Sequence, residues 1–473
     1  MCSAQPGSLG ALRTFYRPPQ PRPARSCPFS AWCSAYPTWV TSRLVHIELG
    51  LSTYFTFSLT NWLGYEKTRG VEETSGSLAS LREGNRKRII NALRERGVAS
   101  RADLARITGL SRSTVSTIVG DLIDAGLAIE RDAKDASPDG AHAGRPPVMV
   151  SLDSSAGLVL GVDFGHQHLR VAVSDLSHTV LAETWRELDV DHSATHGLEA
   201  ASEFVDQVLD EAGLDRGRVI GVGMGLPAPI DRTTGAVQSA SILPGWVGVD
   251  AAAEASRRLG LPVEVENDAN LGALAELVWG AGQGKSEVAY IKASSGVGAG
   301  LISGGRLHHG VGGTAGEIGH TLVAEGGAVC RCGNRGCLET LASARAITDL
   351  LSASRREEIS TRRLLELSAA SDQAAQRLIG DAGRAIGLAV ANLCNVLNPE
   401  RVIVGGDLSA AGDVLLDPLR EAVRRNAIPS AVEDLEIVPG VLGERAELLG
   451  ALALVLHESD RFVAPELVSA KAA

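Results

Sequence analysis

The chain has 473 residues, of which 44% are hydrophobic, and its formal net charge is −11. A chain of this length exceeds one ordinary hydrophobic core, so we expect two or three domains. The average acidity excludes a protein that binds nucleic acid over its whole surface. We find neither an apolar stretch long enough to span a membrane nor a secretory signal, and we expect a cytoplasmic protein without a membrane partner.

Charge is distributed unevenly along the chain. Residues 82–112 hold nine basic and three acidic side chains, whereas residues 151–473 hold 26 basic and 43 acidic ones. A small basic segment followed by a large acidic one indicates two modules, of which the first meets a polyanion and the second has another role.

The first 65 residues differ in composition from the rest. They hold three of the six Trp, four of the five Tyr and four of the seven Phe, with Glu48 as their single acidic residue. No hydrophobic period places them on an element. We interpret residues 1–78 as a leader that is disordered or outside the natural protein, which would then start near Val71. An aromatic arm with its own function is the alternative.

Residues 85–130 show the pattern of three helices. Apolar side chains recur at helical spacing on the first helix (Ile89, Ile90, Leu93), the second (Leu104, Ala105, Ile107) and the third (Val115, Ile118, Val119, Leu122, Ile123). Gly97 and Gly109 end the first two helices, and Ser111 caps the third. The short turn "TGLS" between the last two is typical of a helix-turn-helix, whose final helix enters the DNA major groove.

Residues 79–150 are therefore predicted to be a winged helix-turn-helix that binds operator DNA. The residues predicted to face DNA are Ser111, Arg112, Ser113, Thr114, Ser116 and Thr117. Residues 127–152 form two strands around a Gly- and Pro-rich loop, which we interpret as a wing whose Arg145 enters a minor groove. A helical domain used only for protein contacts is the alternative.

The acidic module indicates an α/β fold. Residues 158–183 alternate apolar and polar side chains and are predicted to form two strands joined by a tight turn. Further strands that run into Gly-rich turns or helices are predicted within residues 219–231, 263–276, 287–307 and 399–409. Gly at strand ends lets the backbone approach a ligand closely, although such loops are often only turns.

Four segments in this order carry a specific resemblance. "ENDANLGALAE" at 266–276, the Gly-rich run at 294–320, "CRCGNRGCLE" at 330–339 and "NLCNVLNPERVIVGG" at 392–406 resemble the ROK family of repressors, open reading frames and sugar kinases. The resemblance runs from about residue 80 to the end, and the helix-turn-helix matches the repressor branch. It implies that residues 151–473 form an actin-like (ribonuclease-H-like) fold of two lobes with a sugar in the cleft.

A cluster of cysteines lies within residues 320–337. His320, Cys330, Cys332 and Cys337 supply one imidazole and three thiolates, a set suited to one tetrahedral structural Zn per chain. Three cysteines leave no even pairing, and a reducing compartment disfavours disulfides. Free buried cysteines are the alternative. Of the remaining cysteines, Cys394 is predicted to be a core residue, and Cys2, Cys27 and Cys33 lie in the leader.

The resemblance also implies the sugar-binding residues. Asn267 and Asp268 match the family pair that contacts sugar hydroxyls, and in kinase members this Asp is the general base. Glu317 and Glu339 match carboxylates that accept hydrogen bonds from ring hydroxyls, and His320 matches a side chain that touches the sugar while it ligates the metal. Carboxylates suit this role because a polyol satisfies acceptors that would otherwise stay unpaired.

The chain departs from the kinase members at one turn. Family kinases carry an Asp-x-Gly-Gly-Thr type turn for ATP phosphates, whereas this chain has "DFGHQH" at Asp163–His168. An imidazole at the second Gly position and Gln in place of Thr should remove phosphoryl transfer, which depends on positioning and electrostatics. We therefore expect no enzymatic activity. An ATP-dependent sugar kinase with a fused DNA-binding domain is the alternative.

These observations together predict a sugar-responsive DNA-binding regulator. We expect a repressor more than an activator, bound to operator DNA as a homodimer or homotetramer, whose affinity changes when a carbohydrate fills the cleft. A regulator that senses a phosphorylated sugar or a protein partner is a weaker alternative.

Overall fold

The computed structural model describes residues 78–131, 148–232, 234–237 and 241–458. Residues 1–77 of the predicted leader and Arg145 of the predicted wing lie outside the described residues. In the described part, a small helical module precedes two five-stranded sheets. None of its helices is long and apolar enough to cross a membrane.

The amino-terminal module contains three helices and a small sheet. Its elements are α1 (Leu78–Arg96), β1 (Ala99–Ser100), α2 (Arg101–Thr108), α3 (Arg112–Asp124), β2 (Ala128–Arg131) and β3 (Met149–Leu152). The strands pair antiparallel in the order β1-β3-β2, so the two predicted wing strands are present and β1 adds a third. Because β3 continues to Leu152, the predicted domain boundary after residue 150 falls inside a strand of this module.

Local side chains fix the ends of these helices. The Ser100 hydroxyl accepts a hydrogen bond from the Asp103 backbone N–H, and the Ser111 hydroxyl accepts one from Thr114 N–H, so both serines cap helix starts. Gly109 ends α2 with a φ of 70°, a left-handed conformation that favours glycine. Apolar residues of the three helices and of β3 form one buried core, as the helical spacing predicts for all of them except Ile107. Ile107 is 40% exposed, because it lies on the side of α2 that faces away from this core.

The first large sheet has the order β6-β5-β4-β7-β8. Its strands are β4 (Leu158–Gly165), β5 (His168–Asp175), β6 (Val180–Glu187), β7 (Val219–Leu226) and β8 (Val263–Asn267). Strands β4, β7 and β8 are parallel, and β5 is antiparallel to β4 and β6. Helices α4 (Ala194–Glu211) and α5 (Ala251–Leu259) contribute to its core.

The two strands predicted within residues 158–183, joined by a tight turn, are β4 and β5, but the end of this segment enters a third strand, β6, that the pattern did not predict. The turn between β5 and β6 contains neither Gly nor Pro. Instead, the Asp175 carboxylate accepts hydrogen bonds from the backbone N–H groups of Ser177 and Thr179, and His178 takes a φ of 73°. An aspartate that hydrogen-bonds the following backbone can replace the usual turn residues.

The second large sheet has the order β11-β10-β9-β12-β13. Its strands are β9 (Val288–Ala293), β10 (Val297–Ser303), β11 (Arg306–Leu307), β12 (Arg401–Gly405) and β13 (Glu436–Pro439). The α-helices that come after β11 in the described chain are α7 (Glu339–Ala342), α8 (Ala344–Arg355), α9 (Thr361–Ala369), α10 (Gln373–Leu397), α11 (Asp413–Asn426), α12 (Pro429–Val432) and α13 (Ala446–Ala453). Cys394 on α10 is fully buried, which confirms its prediction as a core residue.

Two helices connect the sheets. Helix α6 (Asp268–Trp279) packs on β9 and β10, and α13 packs on β4 and β7. The two helices touch at Gly450, where an added Cβ would lie 2.0 Å from the Leu271 carbonyl oxygen. Gly223 of β7 is equally close to α13, because a Cβ there would lie 1.9 Å from the Ala451 carbonyl oxygen. Only glycine permits these two backbone approaches.

Candidate functional site

All five residues predicted to bind a sugar line one cleft between the two sheets. They are Asn267, Asp268, Glu317, His320 and Glu339. Asn267 ends β8 and Asp268 starts α6. Glu317 and His320 lie in the long connection between β11 and α7, and Glu339 is the first residue of α7. The cleft is also lined by His166, Lys292 and Arg331, none of which was predicted to contact a ligand.

Asn267 joins β8 to α6 and orients the start of the helix. Its Oδ1 accepts hydrogen bonds from the backbone N–H groups of Ala269 at 2.9 Å and Asn270 at 3.2 Å. Its Nδ2 donates to the Ala228 carbonyl oxygen at 3.2 Å. Asn267 therefore caps α6 and ties it to the segment after β7, with one amide hydrogen left for a ligand.

Lys292 pairs with the predicted sugar ligand Asp268. Its Nζ lies 2.9 Å from Asp268 Oδ2 and 3.1 Å from Oε1 of Glu447 on α13. Burial opposes the positive charge, but Asp268 and Glu447 outweigh it and raise the pKa of Lys292 well above its usual value. Lys292 is the one charged residue of strand β9, which is a sequence signal that could have indicated it.

The other side of the cleft carries a second ion pair. Arg331 Nε lies 2.8 Å from Glu339 Oε1, and its Nη2 lies 3.2 Å from Oε2, so the contact is bidentate. Glu317 has no such cation pair in the described part of the cleft. Burial, with the nearby charges of Asp268 and Glu339, raises the pKa of Glu317 to about 7.

The structure brings the predicted metal ligands together. One ligand atom from each of His320, Cys330, Cys332 and Cys337 lies within 4.8 Å of all the others. The His320 Nδ1 to Cys330 Sγ distance is 3.6 Å, and the Cys332 Sγ to Cys337 Sγ distance is 3.7 Å. Tetrahedral Zn with ordinary bond lengths would separate such atoms by roughly 3.6 and 3.8 Å, so the donor set fits that ion.

Glycines shape the loop that carries these ligands. Gly333 and Gly336 have φ values of 91° and 71°. A Cβ added to Gly336 would lie 1.8 Å from the Ala324 carbonyl oxygen, so no other residue fits there. His320 joins the loop to the cleft, since its Nδ1 faces Cys330 while its Nε2 lies 3.7 Å from Glu317 Oε2.

The turn after β4 is filled by its own side chains. His168 folds over Gly165, where an added Cβ would lie 2.1 Å from His168 Cε1, and His168 Nε2 lies 3.1 Å from Asp163 Oδ2. Burial disfavours ionisation of Asp163, but its hydrogen bond and charge pairing with His168 outweigh this and lower its pKa. His166 faces the cleft instead, with Nδ1 at 2.7 Å from Asp191 Oδ1.

Helix α3 presents the predicted DNA-facing side chains on one face. Ser111, Arg112, Ser113, Ser116 and Thr117 are exposed, and Thr114 is half-buried. The opposite face is buried in the core of the module. The Ser111 and Thr117 hydroxyls are already bonded to the backbone of α3, whereas Arg112 extends from its first turn into solvent.

Comparison with known proteins assigns both modules. Residues 159–458 match the model of the ROK family, and residues 82–128 match a family described as winged helix-turn-helix DNA-binding. The chain belongs to the ROK family. The xylose repressor of Caldicellulosiruptor bescii is 28% identical over 404 residues, which cover 83% of this chain and 99% of that repressor.

Two solved structures share this architecture to different extents. A ROK family transcriptional regulator, a homologue of the Escherichia coli Mlc protein, has a TM-score of 0.69 and 27% identity and covers 82% of this chain and 99% of its own. A ROK glucokinase from Streptomyces griseus in complex with glucose and AMPPNP has a TM-score of 0.57 and 30% identity, and covers 63% of this chain and 99% of its own.

The regulator and the xylose repressor thus match over more of the chain than the kinase does. This ROK protein combines an amino-terminal winged helix-turn-helix with an actin-like ROK domain, which confirms the predicted fold class. It is a DNA-binding transcriptional regulator, which confirms the predicted class of function.

Proposed function

We propose that the protein is a repressor that binds operator DNA through α3 and changes its operator affinity when a sugar fills the cleft. The observation that carries this proposal is the presence, in one chain, of an exposed polar helix in a DNA-binding fold and a cleft lined by carboxylates. Three of these, Asp268, Glu317 and Glu339, are acceptors suited to sugar hydroxyls. The similarity to a xylose repressor makes a neutral aldose the first ligand to test.

Two contacts support a regulator without kinase activity. The Oδ2 of Asp268, which a kinase would use as general base, accepts a hydrogen bond from the ammonium group of Lys292. His168 lies over Gly165 at the end of β4, which would obstruct a backbone cradle for phosphates at this turn. A working sugar kinase remains the alternative, and an ATP-turnover assay with D-glucose and D-xylose separates the two. Steady turnover above that of an Asp268→Asn variant would contradict the proposal.

We further propose that the cysteine loop holds one structural Zn. His320 Nδ1 and the three Cys thiolates would fill its four positions, leaving none for substrate or water. The ion would fix the loop that carries Glu317 and precedes Glu339, because His320 contacts both the thiolates and Glu317.

DNA contact is assigned to α3 and the wing, with Ser111, Arg112, Ser113, Thr114, Ser116, Thr117 and Arg145 as the contacting residues. We infer a homodimer or homotetramer, since a helix-turn-helix commonly reads two half-sites.

Arg112→Ala should weaken operator binding by about 1–3 kcal/mol if the guanidinium reads a base. Arg384→Ala, an exposed arginine on α10, is the matched control. Unchanged affinity of the Arg112 variant would mean that α3 does not read the operator.

The direct test is a sugar titration with and without DNA. An operator is first selected by the protein from a random DNA pool, and the affinities for D-xylose and D-glucose are then measured with and without saturating operator. A coupling of about 1–3 kcal/mol changes either affinity by roughly 5- to 150-fold, and the factor is reciprocal. Equal sugar affinities under both conditions would show that the cleft does not regulate DNA binding.

A further inference from the structure

His166 and Asp191 form a hydrogen-bonded pair at the edge of the cleft. The His166 side chain is 17% exposed and that of Asp191 is 28% exposed, so both are largely enclosed. Nδ1 of the imidazole lies 2.7 Å from Asp191 Oδ1. A carboxylate at Nδ1 holds a proton on that nitrogen, which leaves Nε2 as the nitrogen that a ligand can reach.

Buried aromatic residues hold both partners in place. Phe164, two residues before His166, meets Trp246 edge-on with 5.4 Å between ring centroids, and both rings are fully buried. Trp246 Nε1 donates to the Val190 carbonyl oxygen at 2.9 Å. The Asp191 carbonyl oxygen accepts a hydrogen bond from Gly245 N–H at 2.8 Å. The pair is therefore preorganised, as a side chain that selects a ligand needs to be.

The sheet order places His166 and Asn267 at the same edge of the first large sheet, on either side of β7. Strands β4, β7 and β8 are adjacent and parallel, so their carboxyl ends meet at one edge of the sheet. His166 follows β4, Pro227–Pro229 follow β7, and Asn267 ends β8. Because neighbouring strands lie about 4.8 Å apart, β4 and β8, which flank β7, are roughly 10 Å apart.

The segment between these two residues, Pro227–Pro229, has no polar side chain. Pro227 and Pro229 have no N–H, and the Ala228 carbonyl oxygen already accepts from Asn267 Nδ2. The Ala228 N–H and the proline carbonyl oxygens remain as backbone groups, but polar side chains on this side of the cleft come from the flanking residues. Of these, Asn267 keeps one amide hydrogen and Asp268 is paired with Lys292, whereas the described part of the chain supplies no hydrogen-bond partner for His166 Nε2.

We propose that His166 is a specificity-determining residue whose Nε2 accepts a hydrogen bond from one hydroxyl of the bound sugar. Asp191 is its positioning residue, because it fixes the tautomer and the ring orientation. This inference rests on the proposed sugar-binding function and deepens it. It requires the ligand to be a neutral sugar with a hydroxyl group beside the segment that follows β7, within hydrogen-bond distance of His166 Nε2. When a sugar without that hydroxyl binds, His166 Nε2 is removed from water and left without a hydrogen-bond partner.

The test compares the effect of changing His166 or Asp191 with the effect of removing single hydroxyl groups from the sugar. Calorimetry on the full chain measures affinities for D-xylose, D-glucose and the 2-, 3-, 4- and 6-deoxy-D-glucoses, with wild type, His166→Ala, Asp191→Ala and the double variant. His166→Ala should weaken binding of the preferred sugar about tenfold. It should have no effect on the one deoxy sugar that lacks the contacted hydroxyl. Asp191→Ala should lower affinity for the same sugars and add nothing to His166→Ala.

Controls separate this role from a structural one. His196→Ala, an exposed histidine on α4, should leave every affinity unchanged. Operator binding without sugar should be the same for all variants if they are folded. An equal loss against every sugar, or no loss at all, would overturn the assignment of His166. If the wild type binds none of these sugars, the proposed function itself fails and this inference fails with it.

Discussion

Lys292 is an enclosed ammonium group that holds together carboxylates from two helices. Asp268 starts α6 and Glu447 lies on α13, and both are within 3.1 Å of Nζ. The side chains of Lys292, Asp268 and Glu447 are 16%, 15% and 9% exposed, respectively. Charges removed from water to this degree depend on their partners, because an uncompensated carboxylate costs several kcal/mol.

Lys292→Met should therefore destabilise the protein by about 3–5 kcal/mol, since it leaves two enclosed carboxylates without their cation. Denaturant unfolding followed by far-UV circular dichroism measures this loss. The double variant Lys292→Met/Glu447→Gln should recover part of it, because one of the two charges is removed. A double variant no more stable than the single one would show that packing, and not charge, explains the effect.

His178 is a residue whose ionisation should set acid sensitivity. Its Nδ1 accepts a hydrogen bond from Trp279 Nε1 at 3.0 Å, and the rings meet edge-on. Burial, together with the positive charge of Arg94, lowers the pKa of His178 to about 3. Because the folded-state pKa lies below the unfolded value, the stabilisation is complete above about pH 6.5 and is lost as the pH falls toward 3.

At pH 5, the free energy of unfolding should be about 2 kcal/mol lower than at pH 7.5 because of His178. His178→Asn removes this titration and tolerates the positive φ of the position. The free energy of unfolding of wild type and variant is measured at pH 7.5 and pH 5. The difference in free energy of unfolding between wild type and variant should be smaller at pH 5 than at pH 7.5 by about that amount. An advantage that is the same at both pH values would contradict a neutral buried His178.

Among the elements, the cysteine loop should depend on its metal. Cys332→Ser removes one of the four candidate ligands, so Zn content should fall from about one per chain to a small fraction. Sugar affinity should fall as well, since His320 would no longer be fixed beside Glu317. Metal analysis of protein purified without chelator measures the first effect. Cys394→Ala, a buried cysteine outside the cluster, should keep its Zn, and a wild type without Zn would refute the site.

Elements with local signals are predictable from the sequence, and those with distant partners are not. Helices α2 and α3 follow from apolar spacing, the Ser111 cap and Gly109, all within a few residues. The turn at His178 escapes such reasoning because an Asp175 carboxylate replaces Gly or Pro. The start of β6 is missed for the same reason.

The same distinction holds in the cleft. Its carboxylates and the four metal ligands follow from motifs and from the family resemblance. The pairs of Lys292 with Glu447 and of His166 with Asp191 join residues far apart in the chain, so only the packed sheets bring them together. The contact of Arg331 with Glu339 was not predicted, because Arg331 lies between two cysteines and the motif was interpreted as a metal site.

Across the whole molecule, α6 connects the cleft with the DNA-binding module. It begins at Asp268 in the cleft and ends at Trp279, about 16 Å away along its axis. Trp279 contacts His178, whose pKa responds to Arg94 on α1 of the winged helix-turn-helix. Arg94 Nη1 in turn donates to the Leu456 carbonyl oxygen at 2.6 Å, in the π-helical turn Leu454–Glu458 that follows α13.

Arg94 is therefore positioned to hold the DNA-binding module against the ROK domain. Burial lowers the pKa of its guanidinium to about 9, so the group stays protonated at neutral pH. Leu127 at the base of the wing adds apolar contact to the cluster that contains Leu448 and Leu452 of α13. A sugar can change operator affinity only if the state it favours differs in the placement of the DNA-binding modules, which requires such a firm attachment.

Arg94→Met keeps the length and apolar stem of the side chain but removes the hydrogen bond to Leu456 and the buried charge. Sugar affinity without DNA should stay within about twofold of wild type, because the cleft residues are unchanged. The ratio of operator affinities with and without sugar should move toward one. Fluorescence anisotropy of labelled operator with and without saturating sugar measures that ratio. Arg96→Met, an exposed residue on the same helix, controls for lost basic charge and should keep the full ratio even if it weakens DNA binding. If Arg94→Met retained the wild-type ratio, coupling between the modules would have to run through contacts other than this one.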